Sequence, residues 1–393
     1  MQAIILAAGK GTRCLPLTAT QPKVLLKIAN HSILEHNLNQ LSDLVDEVII
    51  VIGYLGHMVK EAIGTAHGQM RIQYVEQKNV NGTGTALKAT AHLIKERFLV
   101  LNGDDIYARA DIKKLLHRSY AVLAAHVQDP QLWGMLETKG KRVLKIVEKP
   151  KRSSLHLANT GCCILDKDIF STKIKKSARK EYEAVDFINN LAKDKDITYE
   201  TATAWMPIGY PWQLLAANKA LLSGIKTAIH GKIEKNVVVK GKLMLGKNSI
   251  IRSGTYIEGP VIIGDNCTIG PNAYIRGPAS IGNACKVGQS VELKNVIMFD
   301  KSNIPHLSYI GDSVIGSNVN LGAGTTTANL RFDKKEIRSM VNKELISTGL
   351  TKLGVIIGDN VQTGIHVNLM PGVKLWPNTH IKPNEAVYQD VLK

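Results

Sequence analysis

The chain has 393 residues, 44% hydrophobic and 21% charged, a balance that allows two or three domains each with its own core. A formal charge of +17 comes from dispersed lysines, and aromatics are only 5%, which argues against nucleic acid as the main ligand and for small polyanionic substrates. No apolar run reaches the roughly 18 residues of a membrane span, and five cysteines at unrelated spacings make neither a disulfide framework nor a zinc pattern. The opening strand leaves no room for a signal peptide, so we expect a cytoplasmic chain with reduced thiols and no membrane partner.

Residues 3–6 form a short apolar strand that runs into a turn of small residues, Ala7, Ala8, Gly9 and Gly11. Such a turn lets backbone N–H groups approach an anion, and Lys10, Arg13 and Lys23 add cationic side chains. The device handles phosphate, but it is neither a Walker A loop nor G-x-G-x-x-G. Further strands are predicted at 47–52, 72–75, 98–101 and 121–126, with amphipathic helices at 33–44 and 83–94. This alternation predicts an α/β domain, Rossmann-like with a mostly parallel sheet covered on both faces, and a ligand beyond the carboxyl ends of the strands.

A helix at 213–222 is followed by a change of period. A branched or large apolar residue recurs every six positions at Val239, Leu245, Ile251, Ile257, Ile263, Ile269, Ile275, Ile281, Val287, Leu293 and Phe299. A 3.6-residue helical period cannot produce that register. It predicts a left-handed parallel β-helix of hexapeptide repeats whose core is a column of aliphatic side chains. Cys267, Ala273, Ala279 and Cys285 supply the small residues of a tight inner corner, the cysteines as packed thiols. The register is expected to break around 304–310, to resume at Ile315 and Leu321, and to return at Ile357, Leu369, Leu375 and Ile381 after a protruding charged loop at 331–353. The expected domains are therefore 1–222, a linker at 223–236, and the β-helix at 237–393.

The opening pattern, L-A-A-G-x-G-T-R-x-x-P-L-T-x-x-x-P-K, resembles the signature of sugar-1-phosphate nucleotidylyltransferases. Later segments match that family in order: Gln77 with Gly82-Thr83-Gly84, Gly103-Asp104, Trp133-Gly134, Glu148-Lys149-Pro150 and Asn159-Thr160-Gly161. The resemblance implies attack by a sugar-1-phosphate oxygen on the α-phosphorus of UTP, a reaction that needs positioning and charge neutralisation. It implies nucleotide binding by Leu6, Ala8, Gly9, Lys10, Gln77, Gly82 and Thr83, with catalytic Arg13 and Lys23. It places the sugar phosphate on Gly134, Glu148, Lys149 and Asn159, and Mg²⁺ on Asp104. Asp105 is read as a structural carboxylate. The family's second metal aspartate, in W-x-D-x-G, is replaced by Pro207 in Trp205-Met206-Pro207-Ile208-Gly209, and Gln213 stands where related sequences carry aspartate. Uridylyl transfer is therefore expected to be weakened.

The second half carries I-P-H-L-S-Y-I-G-D at 304–312 and V-N-L-G-A-G-T at 319–325. These resemble the acetyltransferase domain of the bifunctional, archaeal-type enzymes that make UDP-N-acetylglucosamine. The resemblance implies His306 as general base, Arg276, Lys294, Tyr309 and Asn320 on the sugar phosphate, and Ala323, Asn329 and Thr363 on acetyl-CoA. Lys334 or Lys335 would supply the family's next lysine. An amine attacking a thioester must lose a proton, and imidazole titrates near working pH. The implied assembly is a homotrimer built through the β-helix. Two other readings carry less of the pattern: a glucose-1-phosphate uridylyl- or thymidylyltransferase whose β-helix only oligomerises, and a non-catalytic subunit that binds nucleotide sugars.

Overall fold

The computed structural model describes residues 1–79, 81–177 and 179–393. They divide into two compact units, residues 1–10 with 33–207 and residues 11–32 with 208–393.

In the first unit the apolar strand Gln2–Leu6 lies parallel between Glu47–Ile52 and Phe98–Asn102, and Met70–Glu76 continues the parallel block beyond 47–52. These near-continuous apolar runs suit strands buried on both faces. Leu157–Leu165 runs antiparallel between Phe98–Asn102 and Ala121–His126, and the hairpin Gly134–Lys139/Arg142–Glu148 lies in the same sheet, ten-stranded among the described residues. The helix predicted at 33–44 ends at Leu41, because Asp43 adopts a left-handed conformation (φ 58°). The helix predicted at 83–94 ends at Ala89, where the buried Thr90 hydroxyl turns back onto the Leu87 carbonyl at 2.7 Å.

The second unit is a left-handed parallel β-helix with three faces, each an eight-stranded parallel sheet among the described residues. Ile251, Ile269, Val287 and Ile304 stack on one face, and Ile257, Ile275, Leu293 and Ile310 on the next, all fully buried. Burial of each such side chain contributes about 1.5–3 kcal/mol. Corners need a left-handed residue, and asparagine tolerates that conformation: Asn236, Asn248, Asn266, Asn272, Asn318, Asn360, Asn378 and Asn384 all have positive φ. At one corner, side-chain oxygens of Asp265, Asn283 and Asp300 accept backbone N–H groups of the preceding rung at 2.6–2.9 Å.

The sixfold register differs from the predicted one in three places. Val239 pairs with Ile257 but sits in the first rung and is 37% exposed. After Leu293 the corner is one residue shorter, so Met298 rather than Phe299 stacks on Ile281, and Ile304 and Ile310 are ordinary inward rungs rather than a break. Segment 223–236, expected as a linker, contributes Ala228–Ile229 and Lys232–Ile233 to the first rung. The insert at 331–353 carries a hairpin, Arg338–Val341 with Glu344–Ser347, and the coil continues across it, with Ile315 beside Ile357.

Residues 11–32 join this unit through polar contacts with the coil wall. Lys27 pairs with Asp300 (2.6 Å), Thr20 donates to Asp359 (2.6 Å), and Asn30 donates to the Ile281 carbonyl (2.7 Å). The buried Asn218, on helix Gln213–Ser223, accepts from Ala29 N–H and from the Ser280 hydroxyl. No helix among the described residues is long and apolar enough to cross a membrane.

Candidate active sites

In the first unit, the glycine-rich turn is anchored at the strand ends. Ala7 N–H donates to Val51 O (2.8 Å) and Tyr54 N–H to Ala8 O (3.2 Å), while Gly9 and Lys10 are exposed. A Cβ on Gly53 would come within 2.7 Å of the Ala8 carbonyl, so only glycine lets that loop approach. Gly103 N–H donates to Leu6 O at 2.9 Å, which sets half-buried Asp104 beside the end of the first strand. Asp105 is buried, and its carboxylate accepts from Trp205 Nε1–H (3.1 Å) and the Tyr107 hydroxyl (3.3 Å). That is a structural carboxylate. Pro207 sits opposite it in the ladder between Trp205–Pro207 and Asp105–Tyr107.

Gln77 is buried, and its Nε2 donates to Gly82 O and Thr85 Oγ1, both at 2.9 Å, so the amide braces the turn it was expected to share with a base. Gly82 has φ 127°, and a Cβ there would strike the Tyr182 backbone at 2.2 Å. Thr83 Oγ1 accepts from Ala184 N–H (3.0 Å). Gly134, Glu148 and Asn159 do come together: Gly134 pairs with Glu148, and a Cβ at 134 would lie 2.8 Å from Glu148 Oε2 and 3.9 Å from Asn159 Cβ. Lys149 is exposed, its backbone N–H bonded to Trp133 O. Burial pushes the Glu148 carboxyl above the ordinary range, opposed by the guanidinium of Arg179 at 3.3 Å. Arg179 also pairs with Glu183 (2.7 Å), and nothing in its local sequence singled it out.

In the second unit, Arg13 is exposed, and Lys23 is buried at the start of a single 3-10 turn, Lys23–Leu25. Gly11 (φ 63°) leaves only 2.9 Å between its would-be Cβ and Lys23 Cβ. Gln213, which replaces an expected aspartate, accepts both Gly209 N–H (2.6 Å) and Tyr210 N–H (2.9 Å) through Oε1.

The residues expected at acetyl transfer lie on two adjacent coil faces and the corners that join them. Arg276 stacks on Lys294, and Tyr274, Glu292, Tyr309 and Thr326 form the parallel row beside them. Arg276 pairs with Glu292 (2.9 Å) and Lys294 with the buried Asp312 (2.9 Å). Asp312 also accepts Asn295 Nδ2 (2.8 Å) and Asn329 Nδ2 (2.5 Å), and Asn329 reaches the Tyr309 hydroxyl at 3.2 Å. Lys294, Asn295 and Asn329 thus converge on one carboxylate, and Asn329 links it to the Tyr309 hydroxyl.

His306 is exposed, one corner before Tyr309, and its carbonyl accepts Ser308 Oγ (2.7 Å) and Gly324 N–H (3.4 Å). The corner hydrogen bonds put Ala323 at the equivalent position of the next rung, where a small side chain leaves the imidazole uncovered. Asn320 is exposed on the same sheet, between Asn303 and Gln362. The Thr363 hydroxyl is buried and bonded to Gly322 N–H and Thr325 Oγ1, both 2.9 Å, so it is already engaged within the coil. Lys334 and Lys335 are both exposed at the root of the insert.

Residues 2–224 match the nucleotidyl transferase family model, and residues 257–391 match the model of the GMPPB C-terminal domain. Over its full length the chain is 42% identical to the bifunctional protein GlmU of Methanococcus maripaludis, covering 95% of that protein, and 38% identical to that of Methanocaldococcus jannaschii, covering 96%. It is also 38% identical to the bifunctional sugar-1-phosphate nucleotidylyltransferase/acetyltransferase of Sulfurisphaera tokodaii, again over the full chain and 98% of the relative. The chain belongs to this bifunctional nucleotidylyltransferase/acetyltransferase family. A solved Bacillus anthracis protein described as a glucose-1-phosphate thymidylyltransferase, in complex with sucrose, matches 58% of the chain and 97% of its own length at 28% identity and a TM-score of 0.52.

Membership in the bifunctional family makes the chain an enzyme with two transferase activities. Within that frame, Asp312 and Arg179 are the polar organisers that the motif reading passed over. For Asp312 a signal existed: it closes the I-P-H-L-S-Y-I-G-D motif one residue beyond the position stacked on Lys294.

Proposed function

We propose that the β-helix transfers an acetyl group from acetyl-CoA to glucosamine-1-phosphate, and that the N-terminal domain then transfers uridylyl from UTP to N-acetylglucosamine-1-phosphate, releasing pyrophosphate. Galactosamine-1-phosphate, which differs by one axial hydroxyl, is the second amino sugar to assay. The observation that carries the reading is the strip on which Arg276, Lys294, Tyr309 and Asn329 are gathered, with an exposed imidazole one corner away.

On that strip, Arg276 and Lys294 bind the phosphate and orient the sugar, and Tyr309 and Asn320 take its hydroxyls. His306 accepts the proton that the 2-amino group loses as it attacks the thioester, and the thiolate of coenzyme A leaves. Asn329 and backbone atoms at Ala323 and Thr363 hold the acetyl-CoA side and supply donors to the tetrahedral oxyanion.

For uridylyl transfer, the motif at 6–23 supplies backbone donors at Leu6, Ala8 and Gly9, Lys10 and Arg13 for the triphosphate, and Lys23 for the α-phosphate. Gln77, Gly82 and Thr83 border the base. Gly134, Glu148, Lys149 and Asn159 take the sugar phosphate. Asp104 offers one carboxylate to Mg²⁺, and since magnesium is commonly held by one or two carboxylates plus substrate phosphates, that donor set fits. When bound, the ion neutralises charge on the phosphates. Pro207, standing where the family's second metal aspartate is expected, offers no oxygen donor in its side chain, so we assign this activity as the weaker one.

The N-terminal activity is assigned to residues 1–222 and acetylation to 237–393. Trimerisation through the flat coil faces and a cytoplasmic place of action, where UTP and acetyl-CoA are made available, complete the proposal. The test is thiol release from acetyl-CoA with glucosamine-1-phosphate, followed by pyrophosphate release with UTP and Mg²⁺. An inert mixture in the first assay overturns the acetyl-transfer reading.

A further inference from the structure

Arg13 does not project alone. Its guanidinium carbon lies 5.3 Å from the centroid of the Tyr210 ring, and that ring is stacked on Trp212 with centroids 4.8 Å apart and planes 3° from parallel. Trp212 is buried and carries the Nζ of the fully buried Lys374 at 5.7 Å from its ring, and Lys374 Nζ donates to Met340 O at 2.5 Å. The turn bearing the ring is pinned as well. Gln213 Oε1 ties down the N–H groups of Gly209 and Tyr210, and Cys14 Sγ reaches Gly209 O at 3.6 Å. Gly209 lies alongside the guanidinium, its would-be Cβ 3.7 Å from Arg13 Nη1.

We propose that Tyr210 is a positioning residue for nucleotidylyl transfer, its anchored ring holding Arg13 in the orientation that the nucleoside triphosphate requires. This rests on the assignment of Arg13 to the triphosphate. An exposed arginine samples many rotamers, and each must be given up when it clamps a phosphate. The electron-rich face of a fixed aromatic ring selects rotamers that keep the cation above it. Because Tyr210 is stacked on a buried indole, it is a fixed platform rather than a second mobile side chain. Its hydroxyl has no part in the argument; the ring does.

The experiment is calorimetric titration of the full-length chain with UTP in the presence of Mg²⁺, a readout that needs no turnover. Tyr210→Leu is expected to weaken UTP binding about three- to tenfold, Tyr210→Phe to restore it, and acetyl-CoA turnover to be unchanged in both. Should the leucine variant also lose acetyl transfer through misfolding, Tyr210→Met removes the ring while keeping an unbranched apolar chain, and the same weakening is expected. If Arg13→Ala weakens UTP binding while the Tyr210 variants bind like the unmodified chain, the positioning role is overturned. If Arg13→Ala itself binds UTP unchanged, the assignment beneath it falls, and the two failures are distinct.

Discussion

Pro207 stands directly across from Asp105 in a short antiparallel ladder, at the point where the motif places a second metal carboxylate. Asp105 is committed to that ladder instead: it is buried, and its Oδ2 accepts from both the Trp205 indole and the Tyr107 hydroxyl. Asp111 reinforces the arrangement by accepting Thr203 N–H (2.6 Å) and Thr203 Oγ1 (2.8 Å) immediately before Trp205. The strand that carries Pro207 is thus held in place whether or not a carboxylate stands there.

Restoring the carboxylate should therefore strengthen metal binding without moving the strand. Pro207→Asp is expected to lower the Mg²⁺ concentration for half-maximal pyrophosphate release by about tenfold, the scale seen when metal-site support is lost or gained. A metal titration of both proteins decides it. Identical curves would show that Asp104 and the substrate phosphates suffice.

His306→Ala should reduce acetyl transfer by about 10²–10⁴-fold, the usual contribution of a positioned base. The exposed ring makes few demands on packing, so melting temperature should stay within the range of surface substitutions. Thiol release and a thermal melt on the same sample separate the two effects, and retained turnover rejects the role.

Asp312→Asn tests the node that gathers Lys294, Asn295 and Asn329. The new amide presents N–H to at least one side-chain donor and removes the charge opposite Lys294. Loss of a buried, charge-assisted set of hydrogen bonds should cost about 1.5–3 kcal/mol of stability in urea unfolding. The KM for glucosamine-1-phosphate should rise more than that for acetyl-CoA, because Lys294 loses its orientation.

Glu148 provides a pH signature. Its carboxyl is raised by burial, so it stays protonated to higher pH in the folded chain than in the unfolded one. The associated stability is fully present below the ordinary carboxylate range and is lost as pH rises through the raised folded value. The ionised form accepts hydroxyl donors from a sugar more strongly and through both oxygens. The KM of the nucleotidylyl reaction for sugar phosphate should accordingly fall as pH rises through that raised value, and Glu148→Gln should flatten the limb.

The coil column makes a contrast between two residues of the same hexad register. Ile275 is fully buried, and Ile275→Ala should cost about 2–5 kcal/mol in urea unfolding. Val239 lies in the first rung and is partly exposed, so Val239→Ala should cost well under half of that. Equal costs would mean that the first rung is covered by something other than its own neighbours.

Most of this architecture could be read from local spacing. The strands at 47–52 and 121–126 coincide with the prediction because a buried strand is an uninterrupted apolar run, visible without knowledge of its partners. The hexad column was visible for a related reason: each rung repeats the same inside-outside pattern. What the pattern could not show was that the corners after Leu293 and after Ile310 are each one residue shorter, which the pairings of Ile281 with Met298 and of Met298 with Ile315 reveal.

The sequence by itself determined the two fold types, the order of the motifs and the identities of the residues with transferable chemistry, because periodicity and turn composition are encoded between near neighbours. Only the tertiary structure decided which of those side chains are already engaged. Gln77 turns inward to Gly82, Thr363 to Thr325, Lys294 to Asp312 and Arg13 onto the Tyr210 ring, while His306 remains presented to solvent. The physical reason is that a hydrogen-bond partner may lie anywhere along the chain: the one for Asn218 comes from residue 29 on one side and residue 280 on the other. Such pairings follow from closing the chain in three dimensions, and no spacing rule along it records them.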